Sequence, residues 1–400
     1  MLNSLKRYSK YFLVSAFSRG RKYVIHDVNR FLMRKDFLKQ DFNYSDEQRK
    51  EALDRAINWL ITAQKTNSDG GMGSYHLINK WSSSYPETTG YIIPTLITYG
   101  QLNSNQAAMD SAIRAADFLL GIQKPSGGWQ GGRVNENKPE IVFNTGQVIR
   151  GMIAAYEVAG QEKYLQAAVK AGKWLSEIQH WGGFWKEYAL MEEARVYDTF
   201  VDAPLLSLYK ITGDDTFKKT AIRNLDWVID EKIHDNGWFE DCDNTVKRND
   251  KPILHTIAYT LDGLIDCGLI LEEDKYFQAG ETGALFLRDI FLVDGSLNGR
   301  YDSNWNGSEY MICTGCAQMA MIWLKLYKIN DDENYLDAAR NMLDQLIFIQ
   351  SRGFKEDENT LGAIPGSFPL WGRYEPFAFP NWATKFFCDA LMLHEEVGHA

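Results

Sequence analysis

The feature that most constrains the fold is a short phrase that returns along the chain at nearly constant spacing. A polar residue and a threonine open a long apolar run at Thr88-Thr89, Asn144-Thr145, Asp198-Thr199, His255-Thr256 and Cys313-Thr314. An altered copy reads Asn381-Trp382-Ala383-Thr384. Threonines 89, 145, 199, 256 and 314 stand 56, 54, 57 and 58 residues apart, and Trp382 lies 68 further on. A period of this length marks a stacked or closed array of one supersecondary unit.

The text between the phrases supports helices of two kinds. Ser45-Asp46-Glu47-Gln48 has the form of a capping box, and Ala52, Ala56, Trp59, Leu60 and Ala63 follow on one helix face. Amphipathic helices are predicted over about 105–123, 161–179, 214–232, 275–290 and 332–350, each charged on one side. Each leads into a glycine or aromatic loop, such as Ser126-Gly127-Gly128-Trp129 and Gly182-Gly183-Phe184-Trp185, and then into an apolar helix opened by the phrase. Alternating amphipathic and all-round apolar helices suit two concentric layers, because an inner helix is covered on nearly every side. The pattern predicts an all-α (α/α)6 toroid of six helical hairpins over 43–400, preceded by a basic amphipathic extension over 1–42. An open α-solenoid uses the same pairs. Long decorated loops on one side and short links on the other (Thr212-Gly213-Asp214) favour the toroid, with function on the decorated rim.

Composition narrows the partners. A net charge of −10 argues against nucleic acid. Residues 1–40 hold ten Lys/Arg against Asp27 and Asp36, a net of +8, which leaves −18 on the remainder. That segment, with Leu5, Tyr8, Phe12 and Phe17 as an apolar side, is a candidate for peripheral membrane contact. No signal-peptide core or stretch of membrane-spanning length is evident, and five cysteines form no disulfide framework. A cytoplasmic, possible membrane-associated location is the expectation; oligomeric state is left open.

Residues at the phrase converge on the axis if the inner helices all start at one rim. Asp198, acidic at the opening of an apolar helix, leads as general acid/base, although an Asp there also caps a helix. Glu87, Glu187 and Asp241 are its candidate partners, and His255 is a base or a hydrogen-bonding group. Faces for sugar rings are offered by Trp129, Trp185, Trp238 and Trp382. Trp81, Tyr85, Asn144, Tyr188, Trp371, Tyr374 and Asn381 would complete the walls, and Arg300 and Arg373 would meet a uronate carboxylate. The long segment 362–374 is expected to fold over the mouth and meet the 81–87 segment across the closure of the ring. No cofactor or metal is demanded, since Cys313-x-x-Cys316 lacks further ligands at zinc spacing.

From about 45 to 398 these features resemble the six-hairpin glycosidase superfamily. Asp198-Thr199, Pro204-Leu205-Leu206 and Thr212-Gly213-Asp214 are similar to the third inner helix of unsaturated glucuronyl and rhamnogalacturonyl hydrolases, which implies Asp198 as general acid/base. That family carries a second Asp at the second inner helix, where this chain has Asn144. Thr256-Ile257-Ala258-Tyr259 with Gly263-Leu264 resembles sugar 2-epimerases, and Gln123 to Trp129 resembles terpene-cyclase and prenyltransferase toroids, whose acidic cluster and zinc ligands are missing here. The expected function is a glycoside hydrolase on a uronate-containing saccharide in cell-surface polysaccharide metabolism. The alternatives are a lyase or epimerase on the same barrel, and a non-catalytic toroid that binds glycan or protein.

Overall fold

The computed structural model describes residues 42–350 and 358–398. The basic segment, and with it the expected membrane contact, lies outside the described residues. Among the described residues twelve α-helices account for the architecture: α1 Asp46–Lys65, α2 Pro86–Leu102, α3 Gln106–Gly121, α4 Val142–Ala159, α5 Glu162–Glu177 and α6 Thr199–Thr212, then α7 Asp215–Glu231, α8 Leu254–Leu271, α9 Asp274–Asp294, α10 Cys313–Asn330, α11 Glu333–Ile349 and α12 Asn381–Gly398. The capping box at Ser45 is formed, with Gln48 returning its side chain to the Ser45 backbone. Helix α9 runs past its expected end to Asp294, because the first left-handed stop is Gly295 at φ 69°.

The even-numbered helices pack on one another in the cyclic order α2, α4, α6, α8, α10, α12 and back to α2. Each odd-numbered helix packs on the inner helix before it, and α1 packs on α12, so the two ends of the chain close the ring. This is the (α/α)6 toroid, and it excludes the open solenoid. Helix α8 is long and apolar enough by composition to cross a membrane, contrary to the sequence expectation; it lies mostly buried as the fourth inner helix. The first and last decorated loops do meet: β1 (Tyr75–His76) pairs with both β2 (Lys80–Trp81) and the strand Ala378–Phe379, in the register Tyr75 to Trp81 and Tyr75 to Phe379.

A repeated glutamine ties the outer layer together. Gln64, Gln123, Gln179 and Gln350 each stand at the end of an outer helix. Each donates both amide hydrogens to carbonyls, one in its own loop and one on the next outer helix. The pairs are Gly70 and Ser111 (2.8 and 2.9 Å), Gly127 and Ala167 (2.8 and 2.8 Å), and Gly183 and Thr220 (2.6 and 2.8 Å). Gln350 makes the same pair of bonds on Gly362 and Ala52 (2.9 and 2.8 Å), across the junction that closes the ring, so four of the six outer junctions carry the device. The four loop glycines sit at φ between 90° and 112°. Each lies flat against a carbonyl one turn further along the neighbouring helix, at Arg114, Lys170, Arg223 and Arg55. A side chain there would meet both a forbidden φ and that carbonyl.

Replacing Gln350, which is fully buried, by Ala or by isosteric Glu should lower unfolding stability by about 2–4 kcal/mol, since two buried hydrogen bonds are lost and Ala leaves a cavity while Glu sets a carboxylate against two carbonyls. Gln106→Ala, on the exposed face of α3, should change it by less than about 0.5 kcal/mol. Urea denaturation of the three variants checks this, and equal stabilities would show that the glutamine does not hold the ring closed.

Candidate active site

Two cavities open at opposite ends of the barrel. The larger, about 610 Å3, lies towards the C-terminal ends of the inner helices. Three of its carboxylates are committed to its lysines, while Arg150 lies over the Phe200 ring and donates to the Phe200 carbonyl at 3.2 Å. Lys325 Nζ lies 2.6 Å from both Asp262 and Asp266, and Asp389 receives Lys385 at 2.6 Å and the Thr95 hydroxyl at 2.7 Å. The smaller, about 310 Å3, is at the decorated rim, where Thr88, Asn144 and His255 of the phrase, and Glu87 just before it, all line it.

Glu87, second residue of α2, is the most unusual group in the smaller cavity. The Tyr85 hydroxyl donates to it at 2.7 Å and favours the carboxylate. Burial outweighs that bond and raises its pKa from 4.5 to about 7. Tyr85 in turn interacts with the side-chain amide of Asn144. One turn below Glu87 on the same helix face is Tyr91, whose hydroxyl interacts with that of Tyr259.

His255, on α8, faces the same space. Its Nδ1 is 2.7 Å from Gln318 Oε1, an atom that only accepts, so Nδ1 carries the hydrogen and Nε2 is a bare acceptor. Burial lowers its pKa to about 4, so the ring is neutral at ordinary pH. A second carboxyl, Glu375, is raised by burial and drawn back by the Arg133 guanidinium. Tyr374 accepts from the Trp382 indole at 2.9 Å, and Phe143, Tyr197 and Tyr259 form an aromatic floor with ring centroids 4.9 and 5.3 Å apart.

Of the residues expected from the sequence, Glu87, His255, Tyr85, Asn144, Tyr374 and Trp382 come together here. Asp198 does not line the cavity: it is 2% exposed beside Tyr197, which does, and burial raises its pKa to about 8 against the pull of Arg195. Asp241 is turned to Lys232 (3.0 Å) and Asn249 (2.9 Å). Three of the expected stacking tryptophans are packing groups. Trp129 and Trp185 are fully buried with their indole N–H on the carbonyls of Leu119 and Leu175, and Trp238 reaches Tyr301 O. Trp81 donates to Asn359 and packs on Trp59, and Trp371 lies outside the lining. The fully buried Asn381 donates to the carbonyls of Met72 and Gly73. Arg300 is bound to Asp243 at 2.8 Å and Arg373 to Glu309 at 2.9 Å, so neither offers a free cation to a uronate. Glu187 and Tyr188 line a separate depression beside the cavity.

The cavity also holds residues that the sequence reading missed. Tyr91 and Tyr259 were legible as positions four after Glu87 and His255. Glu375 and Lys138 stand in loops with no periodic signal. Lys138 is the cation of the lining, and it is paired with Glu136.

The fold is shared with solved structures of low identity. An unsaturated glucuronyl hydrolase specific for heparin superposes with a TM-score of 0.71 at 16% identity, covering 89% of this chain and 99% of its own. An unsaturated glucuronyl hydrolase from a Bacillus species gives 0.69 at 14%, covering 88% and 97%. A cellobiose 2-epimerase from Bacillus thermoamylovorans gives 0.68 at 14%, covering 87% and 98%. No curated protein matches the chain by sequence. Residues 40–282 match the family described as "Beta-L-arabinofuranosidase, GH127 catalytic domain". This chain therefore belongs to that family and is a carbohydrate-active enzyme built on the six-hairpin toroid.

Proposed function

We propose that the chain is an exo-acting glycoside hydrolase that removes a terminal, uncharged sugar from a glycan, with Glu87 as the general acid. The observation that carries the reading is a carboxyl group protonated near neutrality in the wall of a cavity at the small end of the usual ligand range, roughly 300–1,000 Å3. The sequence resemblance implied a uronate. The lining offers only Lys138, already paired, so hydroxyl-binding groups favour a neutral ring.

Glu87 gives its proton to the glycosidic oxygen as the C–O bond at the anomeric carbon breaks. Water adds to that carbon, and Glu375 takes the water's proton, leaving two neutral products. Asn144 and Tyr85 hold the Glu87 side of the bond, and His255 Nε2 accepts from a sugar hydroxyl. Aryl and short-chain L-arabinofuranosides are the first probes, followed by other neutral glycosides.

On the substrate that is turned over, Glu87→Gln should lower kcat/KM by about 10²- to 10⁴-fold. An unchanged value in folded protein would remove Glu87 from the chemistry. The wild-type rate should fall as pH rises through about 7, where Glu87 loses its proton. Tyr85→Phe deletes a bond that stabilises the carboxylate, so the alkaline limb should move to higher pH. Asp198 titrates near 8 but is not the partner of Tyr85, so a limb that stays put in Tyr85→Phe would assign it elsewhere.

A second reading rests on His255, a neutral imidazole whose free nitrogen would take a proton from a sugar carbon, as an epimerase requires. Incubation with free mono- and disaccharides in D2O separates the two. Deuterium on a ring carbon without bond cleavage supports the epimerase, and cleavage without carbon-bound deuterium supports the hydrolase.

A further inference from the structure

We propose that the depression beside the cavity is the subsite for the next sugar of the chain, and that it selects neutral or amino-sugar units over uronates. This rests on the hydrolase reading above. The depression has a volume of about 580 Å3 and shares Pro139 and Ile141 with the cavity wall, so a glycan leaving the cavity over those residues enters it directly.

One loop serves both spaces. Leu190 lines the cavity, whereas Tyr188, Met191 and Glu192 line the depression. The loop is tied down where it matters, with the Tyr188 carbonyl accepting from the Val142 N–H at 2.9 Å. The Tyr188 ring stands edge-on to Trp174, at 5.5 Å and 68°, while the residue stays 40% exposed. An aromatic ring held by its neighbour yet open to solvent is a ready platform for the apolar face of a sugar, and little side-chain freedom is lost when it is used.

The charge of the depression sets its preference. Glu140, Glu187 and Glu192 line it, and no Lys or Arg does. Lys186 on the same loop is turned to Glu193 at 3.4 Å, outside the lining. A uronate carboxylate seated there meets three like charges, whereas a hydroxyl or ammonium meets acceptors. At solvent-exposed separations each such charge pair changes affinity by up to about fivefold, so a little over twofold from each of the three gives about tenfold.

The test is binding to the full chain carrying Glu87→Gln, so that affinity is read without turnover. Arabinotriose, a glucosamine trimer and trigalacturonate are titrated calorimetrically at low and high salt. The arabinose and glucosamine trimers should bind at least about tenfold more tightly than trigalacturonate at low salt, with the gap narrowing at high salt. Adding Glu187→Gln and Glu192→Gln should bring trigalacturonate to within about threefold of arabinotriose. Adding Tyr188→Ala should abolish the gain of arabinotriose over L-arabinose, with circular dichroism confirming the fold. Trigalacturonate binding as tightly as the others, a gain that survives Tyr188→Ala, or no binding by any trimer overturns the subsite. The acid assignment fails separately, if Glu87→Gln retains turnover, whatever the order of affinities.

Discussion

Ring closure is the constraint on which everything else in this barrel depends. Twelve helices of modest length bury their apolar faces only if the last pair reaches the first, and the contact that joins them is made by a polar side chain. Gln350 spans from the loop carbonyl of Gly362 to the carbonyl of Ala52 on α1, nearly 300 residues away in sequence. The same device joins α1 to α3, α3 to α5 and α5 to α7. A primary amide suits the position because it has two donors, and the two facing groups are a loop carbonyl and a second lone pair on a helix carbonyl. The left-handed glycine in each loop brings one of those carbonyls into reach and lets the loop lie against the next helix.

A shell held at four of its six junctions by the same contact leaves the inner rim free to vary. Three phrase threonines still serve the frame: the hydroxyls of Thr89, Thr145 and Thr384 accept the backbone N–H of Met72, Trp129 and Ile364, fastening each decorated loop to its inner helix. None of the first five phrase threonines caps its helix through its side chain. Beside these fixed points stand Glu87, Asn144 and His255, which differ in charge and hydrogen-bonding character. The repeat thus divides between a conserved mechanical role and a set of non-equivalent groups around one cavity.

That division explains what was legible in the sequence. Helix positions, layers and closure follow from hydrophobic period and loop asymmetry, and they appear where expected. Half of the phrase residues reach the cavity. The others do not, because the phrase does not keep one register to the helix start. Thr89 and Thr145 are fourth in α2 and α4, whereas Thr199 is first in α6, so Asp198 falls in the preceding 3-10 turn instead of the first helical turn. The tryptophans misled for a related reason. Trp129 and Trp185 each follow the staple glutamine by six residues and each return an indole N–H ten residues back. A residue that recurs at fixed spacing in several units belongs to what the units share, which is packing. Glu375 was invisible because its position depends on the path of one irregular loop.

The two ends of the barrel hold their carboxyl groups in opposite ways. At the far end Asp262, Asp266 and Asp389 are neutralised by lysines at short range, and removing one partner would strand the other in low dielectric. At the rim, Glu87 has a tyrosine hydroxyl and the first turn of a helix, both of which favour its ionised form. A helix terminus contributes about 0.3–1 kcal/mol at most sites, while raising the pKa from 4.5 to about 7 corresponds to roughly 3 kcal/mol. Desolvation by the surrounding aromatic rings outweighs both. The aromatic excess of this chain, which reads from sequence as a set of sugar platforms, therefore has a second consequence. By keeping water from one carboxyl, it raises that group's pKa to about 7 against the pull of both the hydroxyl and the helix turn.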